Sequence, residues 1–486
     1  MNINTSKFFL ECTKCGARFV ETDNICPICG GILNVIYTTN VLRPKNINSI
    51  WRYQDRLPIV NENIVSLGEG LTPLLKAENL GRLLRVNNLY IKDETRNPTG
   101  SFIDRGISVE ITKIRKKTKN IICASLGDTG ASISAYASKA GISVTVFVPR
   151  NVNIGKLYQM LLCNAEVRIA RSYDEALSIV HSRHLKDIIF SEASPYYLEG
   201  IKTIAFEIAE QLEWNVPDFV VVPMGTGGLI TMMWKGFKEL KKCGLIDDLP
   251  RLIGVQVRGA DPITKIYSGW KKDYIKYFKD TLATDLQISK PILGELAVSS
   301  IRESNGKAIS VENKKIPQFI KTLAGTEGII SEPAGIIPII AVKELRDQGD
   351  ILQNEMVVVV VTGSGLKTLD VLQKLIPIEQ IGKKIASLSS GAVMRPLGET
   401  KIRILKLLEG EPMHGYGIRK KLKEKFNMLL SMSTIYQHLY ELMDLGLVSR
   451  LHGETGKKRK IYYVLTDRGK EIVKSFGSTI NQVGGS

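Results

Sequence analysis

Short β-branched runs alternate with helical stretches through the middle of this chain. Residues 120–125 (NIICAS) read as a strand, 130–141 (GASISAYASKAG) as a helix and 142–149 (ISVTVFVP) as a second strand. Further on, 217–224 (PDFVVVPM) is a strand that leads into a helical stretch, and 356–365 (MVVVVVTGSG) opens as another buried strand. Continuous apolar runs joined by helices predict an α/β fold with parallel sheets covered on both faces. Ligands in such folds bind at loops after the carboxyl ends of strands.

The pattern changes near Pro377. Residues 377–397 are irregular, with a Ser-Ser-Gly break, and read as a linker. Beyond it, ETKIRILKLLEG (399–410) and HGYGIRKKLKEKF (414–426) are amphipathic helices, the second one basic. A third runs through 430–446, with Ser431 or Ser433 as N-cap and Gly446 as its stop. Ile435, Leu439 and Leu442 fall at i, i+4 and i+7 and turn inward, leaving Ser433, Thr434, Gln437 and His438 to face outward. A hairpin follows, from Leu447–Arg450 through a turn at Gly453–Gly456 to 457–465, then a short helix from Asp467 and a polar tail at 477–486. Three helices and a basic two-stranded wing form a winged helix-turn-helix over 398–476. In that fold the third helix enters the major groove and the wing grips phosphates. The expected contacts with double-stranded DNA are Ser433, Thr434, Tyr436, Gln437 and His438, with Lys457, Lys458, Arg459 and Lys460 on the wing.

Charge supports a polyanionic partner. The 486 residues carry a net +17, and the stretch from Gly398 onward holds 16 Lys/Arg against 9 Asp/Glu. The first ten residues lack the apolar core of a signal peptide, and no apolar run reaches the ~18–20 residues a membrane span needs, so a cytoplasmic location is expected.

Seven cysteines in such a length do not suggest a disulfide scaffold. Cys123, Cys163 and Cys243 are scattered and read as plain thiols. The other four, Cys12, Cys15, Cys26 and Cys29, make C-x2-C-x10-C-x2-C, with a glycine after each pair where the backbone must bend back. Four soft ligands so arranged suit tetrahedral zinc with no open position, hence a structural zinc ribbon over 1–35.

In the central body, Met224-Gly-Thr-Gly-Gly228 follows a strand and opens a helix, so its N–H groups are placed to form a phosphate nest. Thr362, at the end of another strand, brings a hydroxyl to the same crevice. Residues 66–74 (SLGEGLTPL), 91–94 (IKDE), 97–106 (NPTGSFIDRG), 198–203 (LEGIKT) and 327–334 (EGIISEPA) resemble the motifs of threonine synthase. The likeness covers about residues 10–370 and implies the fold-type II pyridoxal-phosphate scaffold, tryptophan synthase β-like, over 36–376.

That resemblance also marks departures. The family's lysine, which forms the internal aldimine, should follow Ser-Phe, and Ile103 stands there. An alkyl side chain neither forms a Schiff base nor accepts a proton. In 124–130, the loop that holds the cofactor's phenolic oxygen in the family, Leu126 replaces a common serine and Asp128 a usual asparagine. A carboxylate facing an oxyanion repels it unless one is protonated. Leu229 replaces a polar residue in the phosphate loop, and Lys92 and Lys202 lie in motifs that the active family also carries. No catalytic residue is therefore expected. The ligand-binding residues expected are Ser125, Asp128, Thr129, Gly225, Thr226, Gly227, Gly228 and Thr362. The ligand is an amino acid, a phosphorylated metabolite or uncondensed pyridoxal phosphate, unless the pocket is vestigial.

In the C-terminal part, Met-His-Gly-Tyr, Ser-Thr-Ile-Tyr, Gly-Leu-Val and Lys-Ile-Tyr-Tyr-x-Leu-Thr resemble the PadR-type regulators. The long C-terminal dimerisation helix of that family is shortened here, which leaves pairing into a homodimer to the synthase-like body. The combined expectation is a DNA-binding regulator with a catalytically silent, metabolite-sensing body. The alternatives are an active threonine synthase acting on O-phosphohomoserine and a non-catalytic partner of one.

Overall fold

The structure, a computed structural model, describes residues 6–22, 24–60, 62–182, 188–270, 281–375, 398–455 and 458–479. The chain divides into two compact units, residues 1–377 and 378–486. The expected linker, 377–397, falls wholly outside the described residues, as does the expected tail from 480 onward, while 477–479 close the last helix.

The first unit opens with a three-stranded antiparallel sheet of β1 (Phe8–Cys12), β2 (Arg18–Phe19) and β3 (Leu33–Tyr37), in the order β2-β1-β3. Its inward residues Leu10, Leu33 and Val35 share one apolar cluster with Ile50, Trp51, Val109 and Tyr196, so the ribbon is packed onto the body.

The body holds two sheets. Strands β4 (Leu74–Lys76), β5 (Asn88–Asp93), β10 (Phe219–Pro223), β11 (Arg251–Val257), β12 (Lys307–Val311) and β13 (Met356–Val361) order as β12-β11-β10-β13-β5-β4. All their pairings are parallel except that of edge strand β4, which runs antiparallel to β5. The second sheet, all parallel, orders β6 (Asn120–Ala124), β7 (Ser143–Pro149), β8 (Glu166–Ala170) and β9 (Ile188–Ile189) as β8-β7-β6-β9.

The valine runs explain themselves. Val220, Val222, Val358 and Val360 enter one core, while Val221, Val357, Val359 and Val361 enter the other. Alternate side chains point to opposite faces of a strand, so a sheet buried on both faces needs an unbroken apolar run.

The motifs that carry the family resemblance hold buried ion networks. Arg105, fully buried, sends Nε to Glu94 (2.7 Å) and Nη1 to Glu207 (2.6 Å), and Lys92 reaches Glu207 at 2.7 Å. Lys202 is likewise committed, to Glu199 and Glu239. Charges this deep persist only when paired, so both lysines are occupied in structural networks.

In the second unit, helices Glu399–Gly410, Gly415–Phe426 and Met432–Asp444 enclose a core with Ile404, Ile418, Ile435, Leu439 and Leu442. Strands β14 (Val448–Thr455) and β15 (Lys458–Leu465) form the antiparallel wing, and helix Asp467–Thr479 follows. The wing is longer than its expected first strand, 447–450: the ladder continues through Gly453↔Lys460, Glu454↔Arg459 and Thr455↔Lys458. Gly453, read as the start of the turn, instead sits inside the ladder.

Candidate functional site

The carboxyl ends of the strands meet a partly open cavity of about 90 Å³. Its lining includes Ile103, Leu126, Asp128, Thr129, Gly225 to Leu229 and Thr362, which the sequence reading had marked from four separate stretches. Glu192, Asp285 and Glu332 also line it and had not been marked. Ser125 is absent from the lining; its Oγ instead accepts the Gly127 and Gly130 amides at 2.9 and 2.8 Å and so shapes the loop.

Ile103 begins helix Ile103–Ile114 and is 6 % exposed at the cavity wall. Its backbone is fixed to the β13 loop: the Phe102 amide donates to the Thr362 carbonyl at 3.0 Å, and the Ser364 amide to the Gly100 carbonyl at 2.9 Å. The glycine loop after β10 requires glycine at 227, where φ is +93° and a Cβ would lie 2.9 Å from the Leu293 carbonyl oxygen. Helix Gly228–Lys242 starts there, as a phosphate nest needs.

Beside this loop the charges are unusual. Lys156, on helix Ile154–Leu162, passes beneath Gly127, where a Cβ would meet its Cδ at 2.5 Å. Its Nζ lies 2.9 Å from Asp128, 2.7 Å from Asp285 and 3.3 Å from Glu332. Lys367 adds a second ammonium 2.8 Å from Asp128. Burial opposes ionisation of Asp128, but the two lysines outweigh it and hold its carboxyl below the ordinary range. The three acids in turn keep Lys156 protonated, its value raised well above the usual one. Burial, reinforced by Asp128, pushes Glu332 up to about 8, and burial also raises Asp285. Asp128 is therefore a carboxylate already paired, which the sequence alone did not reveal.

At the N-terminus, the four Sγ atoms of Cys12, Cys15, Cys26 and Cys29 lie within 4.8 Å of one another. Gly16 and Gly30 turn the backbone after each pair at φ +70° and +67°. Gly31 is required too, since a Cβ there would meet the Cys12 sulfur at 2.7 Å. The donor set and its convergence fit a tetrahedral zinc ion.

In the second unit Ser431 is the N-cap, its Oγ accepting the Thr434 amide at 3.1 Å. Ser433, Tyr436 and Gln437 are exposed, whereas Thr434 and His438 are half-buried. Gln437 donates to Glu441 at 3.2 Å, and His438 Nδ1 stands 3.6 Å from the same carboxylate. Lys457 lies outside the described residues; Lys458, Arg459 and Lys460 occupy the first positions of β15.

Residues 65–363 match the family described as pyridoxal-phosphate dependent enzyme, and residues 404–475 match the transcriptional regulator PadR-like family. The threonine synthase of Methanocaldococcus jannaschii is 40% identical over 74% of this chain and 93% of its own length. That of Methanosarcina acetivorans is 40% identical over 74% and 92%. Among solved structures, a fungal L-serine ammonia-lyase from Rhizomucor miehei superposes with a TM-score of 0.56 at 22% identity, covering 63% of this chain and 97% of that one. Maize serine racemase gives 0.55 at 19%, covering 64% and 93%. These two superpositions speak for the fold alone.

Proposed function

The chain belongs to the pyridoxal-phosphate dependent enzyme family, beside the threonine synthases, and from that premise we propose that it is a DNA-binding transcriptional regulator whose synthase-like unit has given up catalysis. That unit pairs two copies and senses a small molecule. The observation that carries this reading is Ile103 at the cavity wall of a chain that also bears a PadR-like unit. The family's cofactor needs an amine at that position, and no lysine among the described residues lines the cavity. Lys156 and Lys367, the nearest ammonium groups, are tied to carboxylates. A protonated, ion-paired amine is not a nucleophile.

A dimer presents two third helices to a pseudo-palindromic site, with Ser433, Thr434, Tyr436, Gln437 and His438 toward the bases and Lys457 to Lys460 toward phosphates. Zinc in the four-cysteine knuckle is structural, since a closed thiolate site activates no water.

The test is a DNA-binding titration of the full chain at several salt concentrations, repeated with amino acids and pyridoxal phosphate. Affinity falling with salt while preference for one sequence persists is the expected result, with a ligand shifting affinity by about 1–3 kcal/mol. Absence of DNA binding sinks the reading. The 40% identity to threonine synthases supports a second one, an active synthase acting on O-phosphohomoserine. Borohydride trapping of pyridoxal phosphate on a single lysine of the body would decide for it.

A further inference from the structure

The charges around the cavity conflict with the family's cofactor. A phosphate in the glycine nest would stand against Glu192, whose carboxylate accepts the Thr129 hydroxyl at 2.7 Å and has Thr226 of the nest as a second hydrogen-bonding neighbour. Close by, Asp128, Asp285 and Glu332 converge with oxygens within 4.8 Å of one another. Three such carboxylates would suit a metal ion, but the Lys156 ammonium already occupies the centre of the group. With Glu332 holding its proton at neutral pH, Asp128, Asp285 and Glu192 stand against the two ammonium groups of Lys156 and Lys367.

One acceptor in this wall has no donor among the described residues. Asp285 Oδ2 accepts a hydrogen bond from the Lys156 ammonium, while its Oδ1 is shielded from solvent and has no hydrogen-bond partner among the described residues. An unpaired acceptor of this kind costs free energy until a donor reaches it. The lining also holds the aliphatic side chains of Ile103, Leu126, Leu286 and Ile288, beside the rings of Phe102, Tyr173 and Tyr197. That surface matches a methylene chain.

Resting on the reading of this cavity as a ligand seat, we propose that it takes a small aliphatic amine as its ammonium ion, directed to Asp285 and Glu192, and excludes pyridoxal phosphate. The ammonium supplies the missing donor to Asp285 and offsets the excess of negative charge, and the alkyl chain lies along the aliphatic wall. No phosphate is needed, and the nest is left facing a carboxylate.

The experiment is calorimetric titration of the full chain, without DNA, using 1,4-diaminobutane, pyridoxal phosphate and inorganic phosphate in turn. The expected result is that the diamine binds at one site per chain, while the two phosphates neither bind there nor compete. Asp285→Asn and Glu192→Gln, each checked for an intact thermal transition, should weaken the diamine by roughly ten- to a hundred-fold, the loss expected for one charge-assisted hydrogen bond. Stoichiometric binding of pyridoxal phosphate, no diamine binding, or diamine binding indifferent to both substitutions would overturn the proposal. Because DNA is absent, failure here leaves the regulator reading standing. Diamine binding without any effect on DNA affinity defeats the sensing role and leaves this site intact.

Discussion

Lys156 Nζ lies 2.7 Å from Asp285 Oδ2, across 129 positions of chain. The pair joins a helix of the four-stranded half of the body to a turn of the six-stranded half, at the rim of the cavity between them. The same ammonium serves Asp128 and Glu332, so it holds together three acids that repel one another.

Lys156→Met should therefore be costly. The ammonium is fully buried, and its loss strands the Asp128 and Asp285 carboxylates, with the Glu332 carboxyl beside them, without their shared partner. A loss of about 3–5 kcal/mol in denaturant unfolding is expected. A change below 1 kcal/mol would mean that the acids are protonated or solvated already.

Stability should decline with rising pH. The Glu332 carboxyl is pushed up to about 8 from an ordinary 4.5, so the folded chain keeps a proton that the unfolded chain releases. The sign follows: the contribution is complete below about pH 4.5 and is lost as pH rises through about 8. Asp104, raised to about 6, and Glu110, raised to about 7, add to the same slope. Melting temperature measured from pH 5 to 8 should fall, and Glu332→Gln should flatten the fall by roughly 1–3 kcal/mol in stability. An unchanged slope in that variant contradicts the assignment.

Ile103→Lys alone should not restore cofactor attachment. The new amine would face the cavity, but Glu192 would still oppose a phosphate in the nest. Incubation with pyridoxal phosphate, borohydride reduction and peptide mapping should find no modified residue 103. Ile103→Lys combined with Glu192→Gln should gain that adduct. An adduct in the single variant would show that the carboxylate does not guard the nest.

Removing metal from the N-terminal knuckle should loosen more than the knuckle. Leu10, Leu33 and Val35 share a core with Trp51 and Tyr196. A chelator strong enough to strip zinc should take elemental content from one ion per chain to none, lower the first thermal transition and alter tryptophan emission. Retention of the native transition in the stripped protein would assign the stability to the apolar cluster alone.

The buried strands were legible because a valine run sealed on both faces admits little else. The four cysteines were legible because their spacing is their chemistry. Ile103 and the glycine loop also stood out, each in a recognisable local stretch. The ion cluster did not. Asp128, Lys156, Asp285, Glu332 and Lys367 come from five separate segments; Asp128 stood out only as a departure from asparagine, and each of the other four taken singly looks like an ordinary charged residue. The wing's extent was missed for a related reason: Gly453 signals a turn locally, but cross-strand pairing with Lys460 draws it into the ladder.

Where helix Ile103–Ile114 crosses helix Pro195–Ile201, a Cβ on Gly200 would fall 2.2 Å from the Arg105 carbonyl oxygen, and one on Gly106 would fall 2.3 Å from the Tyr197 ring. Backbones in such contact leave nothing to compress. Ile103, Tyr197 and Ile201 thus stand on a wall that cannot swell to admit a bulkier guest. If the cavity seats an alkylammonium ion as proposed, a methyl branch pointing at this wall meets backbone that cannot turn aside, and the branched isomer should bind more weakly than the straight one, by about 1–3 kcal/mol.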